Sequence, residues 1–206
     1  MHGATINIQQ VLTFWFGESI SADTPSAQAK LWWSKPPTID QQIREDFEDG
    51  LQALVAGEHQ DWLETASGRL AAIIVLDQLS RNMYRDTPQA FAQDELALKL
   101  CLQGLEKNID LQLESLKRVF FYLPLEHSED PDIQDLSSRK FADLLDDNIN
   151  TDPLPSDGTY EGFYRYAESH RDIIQKFGRF PHRNKILGRA NTELEQEYLD
   201  TPGSGF

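Results

Sequence analysis

The chain has 206 residues, a single cysteine and a formal net charge of −15, and this length fits one domain with a sizeable buried core. One cysteine cannot form an internal disulfide, which favours a reducing compartment, and no apolar stretch approaches the roughly 20 residues that span a bilayer. The surplus of acidic residues argues against general binding to nucleic acid, because phosphate backbones are held by surplus lysine and arginine. The first ten residues lack a basic region followed by an apolar run, so we expect no secretory signal and a cytoplasmic protein.

Apolar residues at three- and four-residue steps predict helices along most of the chain. The first of them has Thr38 and Gln41 as a capping box at its start and Gly57 at its end. The second begins near Asp61 and runs through residues 70–76, which are apolar all round and therefore make it the candidate for a central buried helix. The predicted helices span residues 39–55, 61–76, 87–105, 113–123, 130–145, 160–177 and 192–199.

Start and stop residues support the later helices. Thr87 and Asp130 are each followed by proline, which is typical of an N-cap and a first helical residue. Pro124 is expected to end or kink the helix before it, because proline has no backbone N–H donor. Gly178 suits a helix end, and Thr192 with Glu195 predicts a last capping box. The same glycine is expected to adopt a left-handed conformation.

Strand signals are absent, since no stretch alternates apolar and polar residues with β-branched enrichment. Residues 150–159, with two prolines and a glycine, read as an internal linker, and residues 200–206 form a polar tail. Successive helices joined by short loops pack antiparallel. We therefore predict a single all-α domain over residues 1–206, built of stacked antiparallel helix hairpins of a tetratricopeptide-like kind without an internal sequence repeat.

Basic residues are concentrated in one segment. Residues 165–189 hold seven lysines and arginines against two acids, a net charge of +5, whereas the rest of the chain carries −20. Such a segment is either a local anion site or the partner of acidic neighbours in the fold. Arg179, His182, Arg183 and Asn184 follow a helix end within it, and arginine forks suit both carboxylate and phosphate.

The central helix continues into Asp77, Gln78, Arg81 and Asn82. Asp77 and Arg81 extend its apolar face one turn apart, where a charge needs a partner. They form either an internal ion pair or part of a pocket. Because an ion pair leaves several of their donors and acceptors unused, we expect Asp77 or Arg81 to meet the loop at 179–184 in space.

Two histidines lie in different settings. His127 and Glu129 follow Pro124 in a loop, where they could serve acid–base chemistry or simply cap a helix. His170 falls on the apolar face of its helix, which is typical of a buried core residue, although a ligand role is also open.

Known cofactor and metal motifs are missing. The histidines do not follow a zinc spacing, and there is no phosphate-cradling glycine loop or nucleophile elbow, so no cofactor is predicted. Cys101, Trp32 and Trp33 are interpreted as core residues.

Four separated segments stand out by their sequence: VLTFWFG at 11–17, LDQLSRN at 76–82, YLPLEHSED at 122–130 and FGRFPHRN at 177–184. Together and in this order they resemble one bacterial family, catalogued as domain of unknown function 924 and assigned to the tetratricopeptide-like helical superfamily. The resemblance covers nearly the whole chain. It implies the α-hairpin fold and supplies no established activity or catalytic residue. Ser80 stands where the family usually has proline, and Asp86 where it usually has glycine.

Three functions remain open from the sequence. The first is a binding module with a polar, locally basic cleft for an anionic small molecule or a peptide carboxylate. The second is a hydrolase that uses a histidine at 127, 170 or 182 with Glu129 or Asp77, with or without a metal. In the third, the polar motifs are structural tethers only. The candidate ligand-binding residues are Asp77, Gln78, Arg81, Asn82, His127, Glu129, His170, Arg179, His182, Arg183, Asn184 and Arg189.

Overall fold

The computed structural model describes residues 6–20, 24–34, 36–148 and 160–202. These residues form helices and turns without a strand, as the sequence predicts. The predicted linker at 150–159 and the last four residues of the tail lie outside the described residues. The α-helices are α1 (Ile8–Phe16), α2 (Thr24–Trp33), α3 (Pro37–Val55), α4 (Ala66–Ile73), α5 (Ser80–Met83), α6 (Asp94–Glu106), α7 (Ser115–Glu126), α8 (Pro131–Asn148), α9 (Tyr160–Phe177) and α10 (Glu193–Leu199).

The predicted central helix is confirmed as the most buried part of the fold. Residues 70–77 are fully buried, and α4 continues through a π-helical turn, Ile74–Leu79, directly into α5. A π-helical turn inserts one residue, which changes the direction in which the following side chains point, and such turns are frequent at functional sites. Asp77 and Gln78 both lie in this turn.

The first two predicted helix starts are wrong. The helix α3 begins at Pro37 after Pro36, without a side-chain cap, because proline already presets the first helical residue. The side chain of Gln41 donates instead to Glu45. Asp61 lies in a separate 3₁₀ turn, Gln60–Glu64, and Thr65 is the true cap of α4.

Two other predicted boundaries need correction. The segment predicted as one helix from Thr87 is a 3₁₀ turn, Pro88–Phe91, followed by α6, and the Thr87 hydroxyl donates to the Tyr84 carbonyl rather than capping. The helix α7 runs two residues past Pro124. Proline removes only its own donor, and the backbone N–H of His127 still donates to the Leu123 carbonyl at 3.0 Å.

The remaining start and stop signals are confirmed. The Asp130 carboxylate accepts from the backbone N–H groups of Asp132 and Ile133 at the start of α8. Gly57 and Gly178 adopt φ values of +82° and +68° at helix ends. Thr192 and Glu195 form the reciprocal capping box of α10.

The loop after the central helix explains one departure from the family pattern. Asp86 has a φ of +61°, a left-handed backbone conformation that glycine adopts without steric cost. The loop therefore keeps the geometry that the usual glycine would allow, at the cost of strain on a side chain with a Cβ.

Helices α7 and α8 form an antiparallel pair. Arg118, near the start of α7, lies 2.9 Å from Asp147 near the end of α8, while the Gln134 amide donates to the Glu126 carbonyl at 2.7 Å. Helix α9 packs on α8. The polar segment 127–130 is the short connection between α7 and α8.

Cys101 and Trp32 are buried in the core, as predicted. The prediction is wrong for Trp33, whose surface is 52% exposed although its ring lies near those of Trp32, Phe120 and Phe163. No helix in the described ranges is long and apolar enough to cross a membrane.

Candidate functional site

Asp77 is the buried centre of a polar cluster. Its side chain has no exposed surface, and its Oδ1 atom lies 2.7 Å from His127 Nδ1 and 3.2 Å from Arg81 Nη1. The Gln78 amide donates to Oδ2 at 2.6 Å. Burial opposes the charged carboxylate, but Arg81 and His127 outweigh it and hold the pKa of Asp77 well below its usual range. Asp77 is therefore a buried anion with three polar partners.

His127 is oriented by that anion. Burial and the neighbouring Arg81 guanidinium lower the pKa of His127 more than Asp77 raises it, so the ring is neutral at pH 7. Because an ionised carboxylate only accepts, the proton lies on Nδ1 and the lone pair on Nε2. The side chain is 15% exposed and lines a surface cleft. This arrangement can accept a hydrogen bond or a proton from a molecule in the cleft.

Asp94 links the central helix to the loop after Gly178. It binds both Nη atoms of Arg81, at 2.9 and 3.0 Å, and lies 3.4 Å from Arg183 Nη1. Arg183 also donates to the His127 carbonyl at 3.1 Å. The predicted meeting of Asp77 or Arg81 with the 179–184 loop thus occurs through Asp94 and His127, and not through a direct hydrogen bond.

Arg183 is held rigidly but is incompletely satisfied. Its guanidinium carbon lies 4.8 Å from the Phe91 ring centroid and 4.5 Å from that of Phe180, so the cation lies against two aromatic rings. The side chain is 7% exposed. Its hydrogen bonds to the described residues use Nη1 alone, and the buried Nε has no partner among these residues. Burial and Arg81 lower the pKa of Arg183 to about 10, which leaves it charged at neutral pH.

The cleft beside these groups has a volume of about 780 Å³, within the usual range of small-molecule sites. It lies where α6, the end of α7, the start of α8 and the Arg183 loop meet. Apolar and polar side chains alternate around it. They are Pro88, Phe91, Ala92, Asp94, Glu95, Leu98, Pro124, His127, Ser128, Glu129, Asp130, Pro131, Arg183 and Leu187.

The lining of the cleft is not basic, contrary to the sequence-based expectation. It carries four carboxylates and one arginine. The arginines of the basic segment are mostly bound to carboxylates in the fold: Arg189 pairs with Glu129 at 2.7 and 2.9 Å, and Arg179 pairs with Glu195 at 2.6 and 2.7 Å. For these residues the tether interpretation holds, because internal acids use the charge that a ligand would need.

A second buried acid lies next to the cluster. Glu126 ends α7 and is 5% exposed, and its Oε1 lies 3.2 Å from His170 Nδ1. Burial and the Asp77 charge raise the pKa of Glu126 to about 8, while burial lowers the pKa of His170 to about 3. Both groups are therefore neutral at pH 7, and their contact is not an ion pair. His170 is a core residue that donates to the Tyr166 carbonyl at 2.8 Å.

The other candidate residues lie outside the cleft. Asn82 donates to Asp40 at 2.8 Å on the α3 side of the central helix. Asn184 is buried and binds Asn191 and Arg189. His182 packs against the Phe180 ring at 5.5 Å, and burial lowers its pKa to about 4. The contacts of Asn184 and His182 stabilise the Arg183 loop, and none of these three residues lines the cleft.

Sequence reasoning missed Asp94 and Phe91. Asp94 lies in the first turn of α6, where acidic residues are common for reasons of local stability, so nothing in the sequence separates it from an ordinary helix start.

A metal site assembled in space was also considered. Within the described ranges, no group of three or more His, Cys, Asp or Glu side chains is arranged so that it could hold a metal ion.

Comparisons with known proteins agree with the resemblance seen in the sequence. A search of curated proteins found no match. The solved structure of a protein of unknown function, ATU0120 from Agrobacterium tumefaciens, is 33% identical, with a TM-score of 0.75, and the alignment covers 94% of this chain and 96% of that one. A family model described as a bacterial protein of unknown function (DUF924) matches residues 11–203. The chain therefore belongs to the bacterial DUF924 family.

Proposed function

We propose that the protein is a binding module whose cleft takes a small molecule or a peptide end through an anionic group, foremost a carboxylate, seated on Arg183. The observation that carries this proposal is the Arg183 guanidinium, which lines the cleft against two aromatic rings and whose hydrogen bonds to the described residues use Nη1 alone. Nε is buried, so Nη2 is the nitrogen with donors left for a ligand. A carboxylate at Nη2 would form charge-assisted hydrogen bonds, which are about twice as strong as neutral ones.

Preorganisation supports the same proposal. Asp94 and the His127 carbonyl fix Nη1, and the rings of Phe91 and Phe180 fix the plane of the guanidinium. A ligand would therefore not have to immobilise a long side chain, a saving of roughly 0.5–1.5 kcal/mol. The stacked-hairpin, tetratricopeptide-like arrangement and the cytoplasmic setting remain part of the proposal, supported by the antiparallel pair α7–α8 and by the single cysteine, which favours a reducing compartment.

A binding screen tests this function. Carboxylates, phosphates and C-terminal peptides are assayed by thermal shift and then by isothermal titration, and at least one anionic class should stabilise the protein. The variant Arg183→Lys keeps a positive charge but loses the fork, so affinity should fall at least about tenfold. Arg165→Gln, an exposed arginine of the same basic segment with a side chain 74% exposed, is the matched control. No response from any anionic class, or equal binding by Arg183→Lys, would refute the proposal.

A second candidate function is acid–base catalysis, with hydrolysis as its first form. Its specific support is the buried Asp77 carboxylate 2.7 Å from His127 Nδ1, which leaves Nε2 as the basic atom at the cleft. Among the histidine–carboxylate pairs considered from the sequence, this is the one with both hydrogen-bond geometry and access to the cleft. A carboxylate that orients a neutral histidine is a recurring device of general base catalysis.

A panel of ester, amide and phosphoester substrates tests the catalytic candidate. Any activity found should fall by about 10²–10⁴ in His127→Gln, whereas binding of the anionic ligand through Arg183 should persist. Activity that survives in His127→Gln, or a panel without any turnover, counts against catalysis and leaves the binding function in place.

A further inference from the structure

The carboxylates that line the cleft fall into two groups. Asp94 and Glu129 are bound to Arg81 and Arg189, each by two hydrogen bonds. Glu95 is exposed and has no hydrogen bond or ion pair with the residues that the structure describes. Asp130 uses Oδ1 to cap α8, and its other oxygen has no described partner. Two negative charges of the lining are therefore not neutralised within the protein.

These two unneutralised carboxylates affect which ligands the cleft would bind. A ligand with only a carboxylate would find one guanidinium with donors left and two unneutralised carboxylates around it, so it would bind more weakly than a ligand that satisfies both signs. A ligand that also carries a positive group would meet complementary charge on both sides. The distribution of charge in the cleft is thus that of a site for a molecule with both signs.

Both free carboxylates are close in the chain to groups that touch Arg183. Glu95 follows Asp94, which lies 3.4 Å from Arg183 Nη1. Asp130 is three residues after His127, whose carbonyl accepts from the same nitrogen. Arg183, Glu95 and Asp130 all line the same cleft of about 780 Å³, so one small molecule in it can meet groups of both signs.

The remaining lining residues indicate what kind of uncharged ligand body would fit the cleft. The side chains of Phe91, Leu98, Pro124, Pro131 and Leu187 give the cleft apolar walls between its charged groups. An aliphatic or aromatic side chain would bury apolar surface against them, at about 25 cal/mol per Å². A neutral His127, whose Nε2 is an acceptor, adds a further partner for an N–H donor.

We infer that the cleft is a site for a zwitterionic, amino-acid-like ligand, in which a carboxylate binds Arg183, an ammonium group lies between Glu95 and Asp130, and an apolar side chain contacts the walls. This inference rests on the proposed binding function and specifies its ligand class. An alternative role for the two acids is to stabilise helix starts, because Glu95 lies in the first turn of α6 and Asp130 caps α8. Ligand selectivity separates the two roles, since helix-start acids would affect stability alone.

The experiment compares three probes that share one apolar body: leucine, N-acetylleucine and leucinamide. Isothermal titration of the full chain should give leucine at least about tenfold tighter binding than N-acetylleucine, which lacks the ammonium, and leucinamide, which lacks the carboxylate. The same order is expected for leucyl-leucine, which is longer, against its N-acetyl form. The preference for the ammonium should be lost in the double variant Glu95→Gln and Asp130→Asn.

Two controls keep the test decisive. Glu106→Gln changes an exposed acid at the far end of α6 and should leave the preference unchanged. If the double variant does not fold, because Asp130 caps α8, the single variant Glu95→Gln should still reduce the preference at least about threefold.

N-acetylleucine binding as tightly as leucine, with dependence on Arg183, would overturn the zwitterion inference and leave the proposed anion binding standing. Failure of all three leucine probes and of both leucyl-leucine forms would also overturn it, and the broader anion screen would then decide the proposed function separately. Unchanged selectivity in Glu95→Gln would assign the acids to the helix starts alone and would likewise refute the inference.

Discussion

Replacing Glu126 with glutamine removes a buried titratable group while keeping its shape. The wild-type pKa of Glu126 is raised to about 8 by burial and by the charge of Asp77, whereas the unfolded chain has an ordinary glutamate value near 4.5. Because the folded pKa is the higher one, the protonated acid stabilises the fold. This contribution is complete below the unfolded pKa and is lost as the pH rises through about 8.

The magnitude follows from the protons bound in each state. Between pH 6.5 and 8 the folded protein holds most of a proton on Glu126 that the unfolded chain has released. This contribution should fall by about 1.6 kcal/mol over the interval, with a slope of at most about 1.4 kcal/mol per pH unit, because the folded group is half ionised at pH 8. The buried His170 and His182 have lowered pKa values, about 3 and 4. Unfolded histidines still bind part of a proton at pH 6.5, so each of these residues lowers stability there by about 0.4 kcal/mol, an effect that fades toward pH 8 and is common to the wild type and the variant.

Urea denaturation at pH 6.5, 7.2 and 8.0 measures the effect. Across this series the wild type should lose about 1.6 kcal/mol of unfolding free energy relative to Glu126→Gln, because the histidine contribution is common to both proteins. Glu106→Gln, an exposed acid, should show the same profile as the wild type. A profile of Glu126→Gln parallel to that of the wild type would show that Glu126 is ionised in the folded protein and that the reasoning is wrong.

Two further predictions concern the cluster and a helix end. In a double-mutant cycle, Asp77→Ala and Arg183→Ala should couple by more than about 0.5 kcal/mol, because both residues contact His127; additive losses of unfolding free energy would contradict this. Gly178→Ala should cost on the order of 1 kcal/mol, purely from its left-handed backbone, since an added Cβ would contact nothing within 4 Å. Gly68→Ala should cost more, because its Cβ would lie 2.3 Å from the Trp62 carbonyl oxygen; thermal unfolding should rank the two variants in this order.

The family comparison supports the helical fold but identifies no activity, so the chemistry is inferred from the candidate site. Several helix ends were predictable because the deciding contacts are local. Asp130 reaches backbone donors two and three residues away, and Thr192 and Glu195 cap each other across three residues. Thr38 failed as a cap because Pro36 and Pro37 preset the start of α3 one residue earlier.

The candidate site was predicted in part. The apolar run before Asp77 and Arg81 indicated that their charges need partners, and both proved to be in one cluster. Which partners they have was not predictable. Asp94 looks like any acid at a helix start, and Arg189 finds Glu129 across 60 residues of sequence.

The sequence by itself determined the all-helical class, the central buried helix and several of the local caps, because periodicity and capping depend on residues within about four positions of each other. Tertiary structure alone decided that the basic segment would be largely neutralised and that Arg183 would keep unused donors at the cleft. Charges that are distant in sequence become neighbours through helix packing, and burial then sets the cost of leaving each one unpaired.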